Sequence, residues 1–170
     1  ERKRKMFKKL KRISKRAAAF TLSILTMFTT IASSAATVYA ADGTLNFTAG
    51  ESIHYGEYLT RKMTFDGNNT AYCVEPMRKT PPSGTYSYNL LSAGSSVRKA
   101  LYYVPGGYGY DANIKNQCLS GWTSDNAYVI GHLVAAYLYN NGDENKAFYG
   151  APQSYIDKAK EVVKRIQGLP

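Results

Sequence analysis

The sequence predicts an α+β domain in which a sheet rich in β-hairpins is followed by packed helices. Apolar residues alternate with polar ones in short stretches before residue 92, and they recur at helical spacing after residue 95. Glycine and proline clusters separate these stretches. Residues 41–170 number 130 (170 minus 40), which is enough for one domain with a hydrophobic core.

The predicted sheet is built around one hairpin. Residues 58–65 show the period-2 alternation of a half-buried strand, and Asp-Gly-Asn-Asn at residues 66–69 is a strong turn signal. Residues 71–74 then form the second strand, so we expect Cys73 to lie on it. Prolines follow, and residues 85–91 are predicted to form one further short strand.

Three helices are predicted in the second half of the chain. Ser95 is the expected N-cap of the first helix, and Thr123 or Ser124 caps the second. Asp125 falls in the first turn of the second helix, where the helix dipole favours an anion. Pro152 begins the third helix. The helices end at Pro-Gly-Gly, Asn-Asn-Gly and Gly sequences, respectively.

Charge is unevenly distributed along the chain. Ten of the 22 basic residues and one of the 12 acidic residues lie in residues 1–40, which leaves 12 basic and 11 acidic residues, a net charge of +1, in residues 41–170. A near-neutral domain disfavours nucleic acid as a partner and predicts ligand binding that depends weakly on salt.

The basic segment is the start of a predicted secretory signal peptide. It is followed by an uncharged apolar stretch at residues 17–33 and by small residues that end at Ala40. A retained membrane anchor is the alternative, but the stretch contains several threonines and is short for a span. We therefore expect residues 1–40 to be removed, residues 41–170 to be secreted, and membrane contact to occur only through the signal peptide. Export permits disulfides.

Few residues in the exported part are suited to catalysis or metal binding. His54 and His132 are its only histidines, and the sequence contains no phosphate-binding glycine loop, hydrolase elbow or zinc motif. We expect no metal, no cofactor and no enzymatic activity. His132 is predicted to be a packed imidazole. A nucleophile pair of Cys73 and His132 is the enzymatic alternative.

Tyrosine is unusually frequent, with 14 tyrosines in residues 41–170. Half-buried positions would explain many of them. A binding patch is the sharper explanation, since aromatic residues are enriched in recognition surfaces. The glycine-rich loop at residues 106–122 is the expected place for such a patch. The predicted patch residues are Tyr103, Tyr108, Tyr110 and Trp122.

The two cysteines, Cys73 and Cys118, leave two interpretations open. A disulfide between them would close a 45-residue loop (118 minus 73) and would stabilise the fold by about 4 kcal/mol. Free thiols are the alternative, because one cysteine lies in a patterned strand and the other in an irregular loop, so the required Cα spacing is not assured.

Four sequence segments between residues 53 and 139 carry a family resemblance. They are Tyr-Cys-Val-Glu-Pro at 72–76, Thr-Pro-Pro-Ser-Gly-Thr-Tyr at 80–86, Val-Arg-Lys-Ala-Leu-Tyr-Tyr at 97–103 and Gly-Gly-Tyr-Gly at 106–109. Their order and spacing resemble the thioester domain at the N-terminus of Gram-positive surface adhesins and pilus tip proteins, especially clostridial wall-anchored proteins with Cna B-type repeats. The resemblance implies a thioester-domain-like fold, a location at the cell wall, and repeat domains beyond residue 170.

In that family a cysteine attacks a glutamine carboxamide, expels ammonia and leaves an internal thioester that host amines can capture. The resemblance makes Cys73 the nucleophile. The family's glutamine, in a Thr-Gln-x-Ala-apolar-Trp motif, corresponds to Asp125 in this sequence. We therefore expect non-covalent attachment to a host extracellular protein or surface ligand. The alternative is an active thioester whose acyl partner is Gln117.

Overall fold

The computed structural model describes residues 43–170. These residues belong to one compact unit, Ala41–Pro170. The predicted signal peptide, residues 1–40, lies outside the described residues.

Four antiparallel strands form one sheet in the described part of the chain, which confirms the predicted sheet. The strands are β1 (Gly43–Tyr55), β2 (Tyr58–Phe65), β3 (Asn69–Ala71) and β4 (Gly84–Tyr88). Their order in the sheet is β3-β2-β1-β4. Strands β1 and β2 pair along their length, with an irregularity between Ala49 and Ser52.

The predicted hairpin turn joins β2 to β3. Asp66 and Gly67 both have positive φ, 41° and 91°, a conformation that Gly and Asp adopt more readily than most residues. The prediction that Cys73 lies on the second strand is wrong, because β3 ends at Ala71. The carbonyls of Ala71 and Val74 accept hydrogen bonds from the side chains of Tyr128 and Asn140, which lie on and directly after a helix.

The three predicted helices are present, and their caps are as expected. The Ser95 side chain accepts a hydrogen bond from the Arg98 amide, and the Thr123 side chain accepts one from the Asn126 amide. Pro152 precedes the last helix, which ends before Gly168. The helices are α1 (Ser96–Tyr103), α2 (Asn116–Cys118), α3 (Ser124–Tyr139), α4 (Glu144–Ala147) and α5 (Gln153–Gln167).

The predicted loop at residues 106–122 is largely helical. It contains a π-helical segment, Asp111–Lys115, that continues into α2. Its apolar side chains explain this difference, since Ile114, Cys118 and Leu119 are buried in the core. Burial of these side chains outweighs the loop-forming tendency of the neighbouring Gly and Asn residues.

Helix α3 is the centre of the fold. All residues from 127 to 136 are buried, not only one face. The helix contacts α1, α4, α5 and β1, so it has no solvent-facing side over this length. None of the helices described in residues 43–170 is long and apolar enough to span a membrane.

Candidate functional site

The chain around Cys73 is fixed to helix α3 by hydrogen bonds on both sides. The Tyr128 hydroxyl donates to the carbonyl of Ala71 at 2.7 Å, and the Asn140 side-chain amide donates to the carbonyl of Val74 at 2.9 Å. Both donors are on or next to α3. The backbone of Cys73 is therefore held in place although it belongs to no strand or helix.

Tyr128 connects this segment to the sheet as well. Its hydroxyl accepts a hydrogen bond from the Met63 amide at 3.1 Å and lies 2.9 Å from the Arg61 carbonyl. The buried oxygen thus satisfies β2 and the Cys73 segment together. Burial raises the pKa of Tyr128 to about 12, so the hydroxyl keeps its proton.

Tyr72 packs the same segment against the middle of α3. Its ring stacks on Tyr128 at a centroid distance of 4.9 Å, and its hydroxyl donates to the Pro105 carbonyl at 2.5 Å. Gly131 makes this approach possible, because a Cβ at that position would lie 2.7 Å from the Tyr72 hydroxyl oxygen. Burial raises the pKa of Tyr72 well above its ordinary value.

The Cys73 thiol is half-buried and is held in its protonated form. Its Sγ donates to the Glu75 carbonyl at 3.3 Å. Burial raises the pKa of the thiol, because the thiolate is poorly solvated there. A protonated thiol is a weak nucleophile at neutral pH.

His132 is a buried residue of α3 and does not activate Cys73. Neither of its ring nitrogens has a hydrogen-bond partner among the described residues, and its ring packs edge-on against Tyr55 at a centroid distance of 6.1 Å. Burial lowers the pKa of His132 to about 4. The nearby backbone of Cys73 has a smaller effect that raises this pKa, although the two groups are not positioned for a hydrogen bond. The prediction of a packed imidazole is confirmed, and the Cys73–His132 nucleophile pair is not assembled.

Asp125, at the position of the family's glutamine, forms an exposed ion pair at the start of α3. Its carboxylate is 2.7 Å from the ammonium of Lys62, which is also 2.6 Å from the Glu51 carboxylate. The hydrogen bonds that the Lys62 ammonium donates to Asp125 and Glu51 raise the pKa of Lys62, so the amine stays cationic. We call these three residues the ion triad.

No glutamine of the described residues is hydrogen-bonded to the Cys73 thiol. Gln117 is exposed on α2, and its carboxamide has no hydrogen bond to Cys73, whose thiol bonds to Glu75. Gln153 donates to Asp157 within the first turn of α5. Gln167 is the last residue of that helix. The structure therefore does not pair Cys73 with the acyl partner that the sequence left open.

The predicted disulfide is not formed in the structure. Cys73 and Cys118 are both free thiols, and they have different surroundings. Cys118 is buried in the core, facing charged groups of α5 that include Glu161 and Arg165. Burial raises the pKa of its thiol too.

The predicted tyrosine patch does not form one surface. Tyr103 is only 5% exposed and donates its hydroxyl proton to the Pro170 carbonyl at 2.9 Å. Trp122 packs edge-on against Tyr155 of α5 at 5.0 Å. Tyr110 is half-buried, which leaves only Tyr108 fully exposed. Tyr103, Tyr110 and Trp122 therefore pack in or against the core and do not form a common surface with Tyr108.

A different apolar groove, of about 750 Å³, lies beside the Cys73 segment. The sequence does not reveal this groove, because its residues come from distant parts of the chain. The available signal was the adjacent pair Leu90 and Leu91, which stays exposed after β4. The groove is lined by Phe65, Tyr72, Tyr88, Leu90, Leu101 and Tyr139, among others.

No cluster of three or more potential metal ligands of the His, Cys, Asp or Glu type occurs among residues 43–170.

Comparisons with known proteins identify a family for this chain. No curated protein and no solved structure matches the sequence. Residues 44–170 match the family model for a thioester domain, a wider range than the four resembling segments covered. This match covers most of the chain, so the protein belongs to the thioester domain family.

Proposed function

We propose that this thioester domain is exported to the surface of a Gram-positive cell, where it acts as an adhesion module. It attaches to a host extracellular protein or surface ligand by non-covalent contacts and does not act as an enzyme. Repeat domains further along the protein would connect it to the cell wall. The family membership and the predicted signal peptide support this role.

One observation carries the non-covalent mode: Asp125, at the expected acyl-donor position, is paired with Lys62. Formation of a thioester from a carboxamide joins Sγ to the acyl carbon and releases ammonia. An ionised carboxylate has no comparable leaving group, because an oxide would have to depart. The protonated Cys73 thiol adds to this barrier.

The covalent state can be tested by intact mass and by reaction with methylamine. We expect the wild-type protein to retain the mass of every side-chain amide and to form no methylamine adduct. Cys73→Ser should behave like the wild type in both measurements. Gln117→Ala and its control Gln153→Ala should also be indistinguishable, since neither glutamine is bonded to the thiol.

The opposite result would identify an active thioester. A wild-type mass short by one ammonia, with a methylamine adduct that disappears in Cys73→Ser, contradicts non-covalent attachment. If Gln117→Ala removes the adduct and Gln153→Ala does not, Gln117 is the acyl donor.

Attachment itself can be tested on surfaces coated with extracellular-matrix protein. We expect the bound protein to be released fully by a denaturing wash, and Cys73→Ser to bind as well as the wild type. Retention after denaturation would show a covalent bond. Failure of the wild type to bind any such surface would contradict the adhesion role.

A further inference from the structure

A second pocket, with a volume of about 540 Å³, lies between strands β1 and β2 and the loop at residues 78–83. We propose that this pocket, here called the basic pocket, binds the carboxylates of an acidic peptide segment of a partner protein. This inference names a ligand class for the proposed adhesion role and rests on it.

The lining of the basic pocket carries several positive charges. The nine residues that line the basic pocket include Arg61, Arg78 and Lys79 and no carboxylate. Residues 41–170 carry a net charge of only +1, so three cations around one pocket are a strong local concentration. Such a concentration lowers the energy of an anion placed between them.

These cations have N–H groups that are not used in ion pairs or hydrogen bonds among the described residues. Arg78 uses one N–H for the Glu75 carboxylate at 3.2 Å, and Arg61 makes a long contact of 3.4 Å to the Gly50 carbonyl. Lys79 has no ion pair with a carboxylate of the described residues. A guanidinium carries five N–H donors in a planar fork that matches a carboxylate. The pocket therefore has free N–H groups for an incoming acidic side chain.

The loop that forms one wall is held before any ligand arrives. The Ala49 amide donates to the Ser83 hydroxyl at 3.0 Å, and the Tyr86 hydroxyl donates to the Pro82 carbonyl at 2.7 Å. Pro81 and Pro82 also restrict the backbone. A fixed wall reduces the ordering entropy that binding would otherwise cost.

The remaining lining favours a peptide over an acidic sugar. The pocket contains no aromatic side chain on which a sugar ring could stack. It instead combines its cations with aliphatic surface from Leu59, which is 54% exposed, and from the two prolines. Alternating acidic and aliphatic side chains of an extended peptide suit this mixture.

The proposal can be tested by titrating the purified protein with a short synthetic peptide in which glutamate alternates with leucine. A peptide with glutamine at every glutamate position is the neutral control. We expect the acidic peptide to bind and the neutral one to bind about tenfold more weakly or not at all. Moderate salt should weaken binding of the acidic peptide.

Matched variants locate the site. The double variant Arg61→Gln, Lys79→Gln should lose about tenfold in affinity, and Lys79→Gln alone should lose part of it. Lys164→Gln removes the same charge from an exposed position of α5 and should bind like the wild type. Lys79 is exposed in a loop, so its single variant keeps the test valid if the double variant is unstable in thermal unfolding.

Three results would overturn the proposal. They are absence of acidic-peptide binding to the wild type, equal binding by Lys79→Gln and Lys164→Gln variants, and binding of a sulfated oligosaccharide in place of the peptide. Failure here is distinct from failure of the proposed function, because the mass and methylamine measurements do not involve the basic pocket.

Discussion

The Cys73 segment and the ion triad both contact helix α3, but they are held in opposite ways. The segment is fixed by part-buried, neutral hydrogen bonds from Tyr128 and from Asn140. The triad is more exposed and charged, with the Asp125 side chain 46% and the Lys62 side chain 36% exposed. The segment around Cys73 is therefore packed beside the core, whereas Asp125 lies at the surface.

This difference separates the stability of the scaffold around Cys73 from the identity of the residue at position 125. A buried hydroxyl or amide that loses its partner costs about 1–3 kcal/mol, so changes around Cys73 are penalised by the fold. An exposed ion pair contributes about 0–1 kcal/mol, so a change at Asp125 has little effect on stability. The chemistry at Asp125 can change while the scaffold around Cys73 remains.

The largest expected effect is on the buried side. Tyr128→Phe removes the oxygen that serves the Met63 amide and the Ala71 carbonyl. We expect the free energy of unfolding to fall by about 2–3 kcal/mol, since both buried groups lose a partner. Chemical denaturation measured by circular dichroism gives this value.

The matched control for that variant is Tyr137→Phe on the same helix. Tyr137 is half-buried with its ring stacked on Phe148, so loss of its hydroxyl should cost about 0.5 kcal/mol or less. Equal losses in the two variants would show that the hydroxyl of Tyr128 does not hold the Cys73 segment in a special way.

A smaller effect is expected from His132 as the pH falls. Its pKa is about 4 in the folded protein and about 6.5 in an unfolded chain. Between these values the unfolded state binds more protons, so stability is complete above the unfolded pKa and falls as the pH falls towards 4. From pH 6.5 to pH 5 we expect a loss of about 1.5 kcal/mol from this residue.

Two variants separate His132 from other titrating groups. In His132→Leu the slope of stability against pH over this window should become shallower, and stability at neutral pH should be little changed because the buried nitrogens have no partner to lose. His54→Gln, at an exposed position, should keep the wild-type slope. An unchanged slope in His132→Leu would contradict the buried, neutral imidazole.

The smallest effect belongs to the ion triad. Asp125→Asn removes one of the two carboxylates that bind Lys62 and should lower the free energy of unfolding by about 0.5 kcal/mol in dilute buffer. The difference from wild type should shrink in about 1 M salt, where exposed charges are screened. A loss as large as that of Tyr128→Phe would show that both sides of the site are held alike.

Net charge and local charge also differ in what they predict. The +1 of residues 41–170 predicts weak dependence of ligand binding on salt. The basic pocket gathers Arg61, Arg78 and Lys79 in one place and predicts a moderate dependence confined to acidic ligands. Composition averages over the surface, so it cannot reveal such a grouping.

The sequence by itself determined the features that depend on neighbouring residues. Asp66 and Gly67 specified the hairpin turn, Ser95 the start of α1, and Thr123 or Ser124 the start of α3. Turn and cap preferences come from the backbone and side chain of a few adjacent residues, so they can be read locally.

Only the tertiary structure decided which side chains meet. It ended β3 before Cys73 and buried Tyr103. Among the described residues it left the ring nitrogens of His132 without a hydrogen-bond partner, and it placed Arg61 and Lys79 around one pocket. These outcomes depend on contacts between residues far apart in the chain, where burial of apolar area on α3 outweighs local preference. The chemistry of the site follows from that packing, because burial and hydrogen bonding set whether a thiol or an imidazole can react.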